Sequence, residues 1–109
     1  MNVSIDFTKG NGLVPVIVQD YKSREVYMLG YMNEDALRKT TDTGLVYFWS
    51  RSRQSLWMKG EKSGNKLHVK EIFSDCDSDT LLVFVILIGN NVCHTGNKSC
   101  FYTKLEVSK

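Results

Sequence analysis

A chain of 109 residues favours one domain over two, and its 42% hydrophobic and 11% aromatic content with a single proline excludes a disordered tail. A formal net charge of +2 is too small to argue for nucleic acid. The longest apolar run, Leu81–Ile88, falls short of the roughly 20 residues that a bilayer span needs. The polar start, Met1 to Asp6, lacks the apolar stretch of a secretory signal, so the expected compartment is the cytoplasm. Three cysteines cannot all pair within one chain, and a reducing cytosol disfavours disulfides, which points to thiolate chemistry or metal binding. A domain this small also gains from a dimer or a bound metal.

Residues 3–7 form a first strand candidate, followed by a Lys-Gly-Asn-Gly turn over residues 9–12. Residues 13–19, rich in Val and Ile, predict a strand, and Pro15 near its beginning predicts a sheet edge or a strand start. Val14, Val16 and Val18 alternate with other residues, while Ile17 makes the second face apolar too, so burial on both sides is expected. Residues 20–24 fit a hairpin loop and residues 25–32 the returning strand. Asn33 reads as a helix N-cap, with Glu34 and Asp35 in the first turn where acids suit the helix dipole. The helix continues over residues 36–41, and Gly44 is placed to end it. Residues 45–50 predict a β-branched and aromatic strand. Residues 51–65, polar, basic and punctuated by Gly60 and Gly64, predict a long loop of the kind that carries function. Strands are then expected over residues 66–73, 80–88 and 100–107, with a loop over 89–99. The sum is an α+β single domain with a mainly antiparallel sheet and one short helix.

All three cysteines, one of the two histidines and three closely spaced aspartates fall between residues 74 and 101. Sixteen residues separate Cys76 from Cys93 and six separate Cys93 from Cys100, unlike the C-x-x-C pairs of a zinc ribbon. Spacing alone leaves two readings open, metal ligands or small buried apolar residues. If residues 80–88 are one strand, Cys76 and Cys93 lie beyond its two ends, roughly 25–30 Å apart at about 3.3 Å per residue. A second subunit packed antiparallel joins them directly, which predicts a metal site shared across a homodimer. Three thiolates leave one zinc position for water, the open arrangement of a catalytic site, and zinc lowers the pKa of that water to about 7. His94 then serves either as a fourth ligand or as the group that moves protons.

Asp75, Asp77 and Asp79 alternate, so an extended backbone puts them on one side and Cys76 on the other. Such carboxylates repel unless a cation sits among them or they splay into water. The oxygen-only set suits Mg²⁺, and a solvated acidic turn is the other reading. An EF-hand is excluded, because the glycine and distal glutamate of that loop are absent.

Upstream, Arg51, Arg53 and Lys59 are interleaved with hydroxyls and with Trp57. Arginine grips phosphate oxygens bidentately and lysine acts as a point charge, which makes these three candidates for binding a phosphorylated substrate. Gly60 and Gly64 let backbone amides approach an anion, and Trp57 or Trp49 can stack on a purine. A plain basic surface loop with one tryptophan in the core is the other reading. A single-stranded nucleic-acid surface is disfavoured by the small net charge and the nearby aspartates.

Taken together these stretches resemble one known family. Gly12-Leu13-Val14-Pro15, Ser50-Arg51-Ser52-Arg53, Leu56-Trp57, Lys59-Gly60-Glu61, Ser63-Gly64, Asp75-Cys76-Asp77-Ser78-Asp79 and Cys93-His94-Thr95-Gly96 with Ser99-Cys100-Phe101 occur in the order found in phosphoribosyl-AMP cyclohydrolases. They span nearly the whole chain. The resemblance implies a zinc hydrolase of histidine biosynthesis, built as an intertwined homodimer. Its zinc cysteines map onto Cys76, Cys93 and Cys100, and its magnesium aspartates onto Asp75, Asp77 and Asp79. Hydroxide generated on zinc is then expected to attack C6 of the adenine ring, with His94 as the proton-transfer candidate. Residues 89–92, Gly-Asn-Asn-Val, depart from the family pattern by one extra residue and the loss of a proline before Cys93. Some members carry a fused pyrophosphohydrolase domain, for which this length leaves no room, so ring opening alone is expected. A non-catalytic, zinc-stabilised module that binds nucleotide or RNA is the alternative function.

Overall fold

The computed structural model describes residues 4–108. In chain order the elements are strand β1 (Val14–Asp20), strand β2 (Val26–Met32), helix α1 (Glu34–Thr43), strand β3 (Tyr47–Ser50), strand β4 (Ser55–Met58), strand β5 (Lys66–Ser74) and strand β6 (Leu81–Ile88). Strands β2, β1, β6 and β5 form one sheet in that spatial order, and β3 pairs with β4 in a separate hairpin. Every pairing is antiparallel except that of β1 with β6, which is parallel. One helix and a mostly antiparallel sheet make the α+β architecture that the element pattern predicts.

Strand β6, the apolar run, lies inside the sheet with a neighbour on each side, which is where a strand without polar residues belongs. Leu81, Val83 and Val85 point into the core with Val14, Val16 and Val18 of β1. Pro15 is therefore not in an edge strand. It is tolerated because the ladder between β1 and β6 begins one residue later, at Val16 opposite Leu81, so its missing N–H costs no bond to β6.

Helix α1 is bounded as its sequence predicts. The Asn33 side chain accepts the Ala36 N–H at 2.9 Å, and Gly44, at φ 76°, donates its N–H to the Thr40 carbonyl. The helix buries Ala36 and Thr40, and the Thr40 hydroxyl accepts the Tyr47 N–H at 3.0 Å, which fastens α1 to β3. The β3–β4 hairpin packs Phe48 against Gly30 of β2, where a Cβ would stand 2.6 Å from the ring. Helix and hairpin thus feed one core on one face of the sheet.

Among the described residues no helix or strand covers the other face. Leu29, Ile17, Leu82 and Phe73 stand side by side across all four strands, and Leu29 and Phe73 are 44% and 50% exposed. Burial on both sides of β1, expected from Ile17, is complete on the core side only.

Three expectations are corrected. Residues 51–65 are not one loop, because Ser55–Met58 form β4 and hairpin back onto β3. Gln54 supplies the positive φ, 50°, that glycine usually supplies in such a turn, so the turn carried no glycine signal. Across this ladder Phe48 and Trp57 pack with ring centroids 5.2 Å apart. Residues 100–107 form no strand. Their apolar side chains, Phe101, Tyr102, Leu105 and Val107, are exposed, and strand propensity without an adjacent edge to pair with yields no ladder. Residues 4–7 likewise form no strand, and Val3 lies outside the described residues. The Asp6 N–H instead donates to the Ser78 carbonyl at 2.7 Å.

Candidate active site

After β6 the chain turns at Gly89, where φ is 127° and a Cβ would stand 2.1 Å from Asn65 Oδ1, so only glycine fits. That same oxygen accepts the Asn90 N–H at 3.0 Å. Val92 then enters the core, and the next residues close on themselves: Val92 N–H to Lys98 carbonyl at 3.1 Å, Cys93 N–H to Asn97 carbonyl at 3.1 Å. The Thr95 hydroxyl lies 3.0 Å from Cys93 Sγ and accepts from Asn97 Nδ2 at 3.1 Å. Buried Ser99 donates its hydroxyl to the Val26 carbonyl at 2.6 Å, and the Cys100 N–H donates to the Tyr27 carbonyl at 2.7 Å. One thiol is thus carried by the turn after β6 and the other by the edge of β2.

Cys93 and Cys100 lie near enough for each thiol to act on the pKa of the other. The Thr95 hydroxyl and N–H, with help from Cys100 and the positive charge of Lys59, hold the Cys93 thiol below its usual pKa. Burial, and then the neighbouring Cys93 sulfur, push Cys100 above its own. A thiol pair with one member eased toward the anion fits a soft divalent ion such as zinc. It offers two sulfurs, however, not three. Cys76 is exposed in the turn between β5 and β6 and joins no metal-like group in the chain among the described residues.

That turn does gather the aspartates. Ligand oxygens of Asp75, Asp77 and Asp79 all lie within 4.8 Å of one another. The cause is not the extended backbone expected from their alternation. Residues 75–80 form a tight turn in which Asp75 Oδ1 accepts the N–H groups of Asp79 (3.0 Å) and Thr80 (3.2 Å), with Ser78 at φ 61°. The neighbouring carboxyl groups of Asp79 and then Asp75 raise the pKa of Asp77. Desolvation also works upward on Asp75, but the Asp79 N–H leads a set of hydrogen bonds that bring it below the usual value. Lys9 Nζ sits over the trio, 3.1 Å from Asp79 Oδ2 and 3.5 Å from Asp77 Oδ2. A hard-oxygen set already holding an ammonium ion fits Mg²⁺.

The four candidates for substrate contact all lie on or beside the β3–β4 hairpin. The Arg51 guanidinium lies 4.0 Å above the Tyr31 ring. A cavity of about 540 Å³ is lined by Tyr31, Phe48, Trp49, Arg51 and Trp57 among others. A second, of about 230 Å³, is lined by Arg53, Trp57 and Lys59 among others. Trp57 is shared by both. Lys59 Nζ lies 5.9 Å from the Trp57 ring and close enough to both Cys93 and Cys100 for its charge to act on them. His94 is exposed, next to Cys93.

Sequence reasoning assigned no role to Thr95, Ser99, Lys9 or Tyr31. Thr95 had a local signal, a hydroxyl two residues after a thiol. Lys9 meets its aspartates only through the fold, and nothing in its own turn announces them.

A family profile described as Phosphoribosyl-AMP cyclohydrolase matches residues 28–102. A phosphoribosyl-AMP cyclohydrolase of Clostridium botulinum (strain 657) is 57% identical over 93% of this chain and 91% of its own length. One from Solibacter usitatus is 50% identical over 98% of this chain and 85% of its own length. The histidine biosynthesis bifunctional protein of Buchnera aphidicola is 59% identical over 91% of this chain, matching 46% of that longer protein. With matches of this extent, the chain belongs to the phosphoribosyl-AMP cyclohydrolase family, enzymes of histidine biosynthesis that act on a carbon–nitrogen bond.

Proposed function

We propose that the protein opens the adenine ring of phosphoribosyl-AMP by hydrolysis of the N1–C6 bond, giving the phosphoribosyl-formimino-aminoimidazole carboxamide ribotide. It works as a homodimer with zinc between the chains. The observation that carries the reading is the division of the thiols: Cys93 and Cys100 lie near enough to shift each other's pKa, and Cys76 is exposed in the turn between β5 and β6. Cys93 and Cys100 of one chain with Cys76 of a second copy would hold the zinc, and Asp75, Asp77 and Asp79 the Mg²⁺. When bound, zinc supplies an activated water at neutral pH through its open position.

The chain's own residues do the rest. Trp57 offers its ring to the purine between the two cavities. Arg51, Arg53 and Lys59 take phosphate oxygens, and Thr95 fixes the Cys93 sulfur. His94, exposed beside Cys93, takes a proton from the attacking water and returns one to N1 as the N1–C6 bond breaks. The water oxygen stays on C6 as the carboxamide oxygen. The uncovered row Leu29, Ile17, Leu82 and Phe73 supports a second copy, since apolar surface of that kind is usually covered. No helix among the described residues is long and apolar enough to cross a membrane. Three free thiols suit the reducing cytoplasm. We assign ring opening to residues 1–109, as a single domain.

The test is turnover of phosphoribosyl-AMP with and without a zinc chelator, joined to a mixing experiment. Cys76→Ala and Cys93→Ala are each expected to be inactive. Their mixture regains one complete site per heterodimer and part of the activity. Chelator-resistant turnover, or no recovery on mixing, overturns the shared zinc. Retained zinc without turnover leaves only a binding module.

A further inference from the structure

The acidic turn holds a cation of its own. Among the described residues the ion pairs of Asp77 and Asp79 are with Lys9 alone. Lys9 is not there by chance of a floppy side chain, because its loop is built onto the turn. The Asp6 N–H donates to the Ser78 carbonyl at 2.7 Å, the Gly12 N–H donates to the Phe7 carbonyl at 2.7 Å, and the Thr8 N–H donates to the Asp6 carboxylate at 2.9 Å. A Cβ at Gly10 would stand 2.2 Å from the Leu13 carbonyl oxygen, so the loop is also closely packed.

We propose that Lys9 is the resident counter-cation of the Asp75, Asp77 and Asp79 cluster, and that a divalent ion binds there by displacing it. The inference rests on the reading of these aspartates as the Mg²⁺ set. The oxygens that Lys9 holds, Asp77 Oδ2 and Asp79 Oδ2, belong to the carboxylates a metal would need. An ammonium group has no lone pair to offer a metal, and two cations among the same carboxylates repel. Lys9 must therefore leave as the metal enters. It has somewhere to go: a cavity of about 220 Å³ lined by Asp6, Lys9, Gly10, Asp79 and Thr80 among others adjoins the turn. Displacement is reversible, because the Lys9 side chain is 51% exposed and its partners Asp77 and Asp79 are 57% and 25% exposed, so neither pair is buried and such pairs are weak. Lys9 thereby lowers the metal affinity of the acidic site and couples metal binding to the loop that carries it.

The experiment is calorimetric titration of the zinc-loaded protein with Mn²⁺, repeated with Mg²⁺, on wild type, Lys9→Met, Lys9→Arg and Asp77→Asn. Lys9→Met is expected to bind metal about two- to fivefold more tightly, and Lys9→Arg, which keeps the charge, to bind as wild type does. Metal should also speed amide exchange over residues 8–12 in wild type and leave it unchanged in Lys9→Met. Equal or weaker binding by Lys9→Met overturns the role of Lys9 and leaves the aspartate site standing. If wild type shows no saturable binding that Asp77→Asn removes, the aspartate site falls and this inference with it.

Discussion

Asp20 shows how a single carboxylate supports a site it does not touch. It accepts the N–H groups of Lys22 (3.0 Å) and Ser23 (2.7 Å) and the buried Tyr27 hydroxyl (2.9 Å), while the Tyr27 carbonyl accepts the Cys100 N–H. Asp20→Ala strands that hydroxyl and is expected to cost about 1–3 kcal/mol in urea denaturation. Burial works to raise the Asp20 pKa, but these hydrogen bonds win and hold it below 3.8. A depressed folded value means the contribution is complete above the unfolded pKa and lost as pH falls through the folded one. Stability should therefore decline below about pH 4, and less steeply in Asp20→Asn. Thr95→Val removes the hydroxyl beside Cys93 Sγ and is expected to weaken zinc about tenfold in competition with a chromophoric chelator, with Thr95→Ser close to wild type. At this scale the sequence named the metal-ligand candidates by residue type. It could not say that Cys93 would come near Cys100 while Cys76 lies in a separate exposed turn, because that depends on which strand edge receives each loop.

Among the elements, α1 was legible at both ends because capping is local: Asn33 and Gly44 act on residues within one turn of themselves. Gly44→Ala forces a Cβ into the left-handed region at φ 76° and is expected to cost about 1 kcal/mol, read as a lower thermal midpoint. Thr40→Val leaves the Tyr47 N–H without its acceptor and is expected to cost about 1–3 kcal/mol in the same assay. Strand β4 was hidden for the opposite reason. Its four residues are all half-buried, and Gln54 closes its turn without glycine, so its evidence lies across the ladder in Phe48 rather than along the chain. Residues 100–107 had the composition of a strand and no neighbour to pair with.

For the whole molecule, the division between a covered and an uncovered sheet face accords with the proposed sharing of the site between two copies. The protein is expected to sediment as a dimer, and dilution to monomer should release zinc over the same concentration range, followed with a zinc-sensitive dye. The sequence showed that β1 is apolar on both faces but not which face the helix and hairpin would take. That choice follows from Gly30, the opening in β2 that admits Phe48.

The central place of β6 has a consequence for synthesis. Of the seven elements it is the last to leave the ribosome, yet β1 and β5 can be joined only through it. Until residues 81–88 clear the exit tunnel, a nascent chain holds a β1–β2 hairpin with half its partners unmade. The sheet thus cannot close before residues 81–88 are free to pair, and the sulfurs of Cys93 and Cys100 follow just behind the strand that closes it.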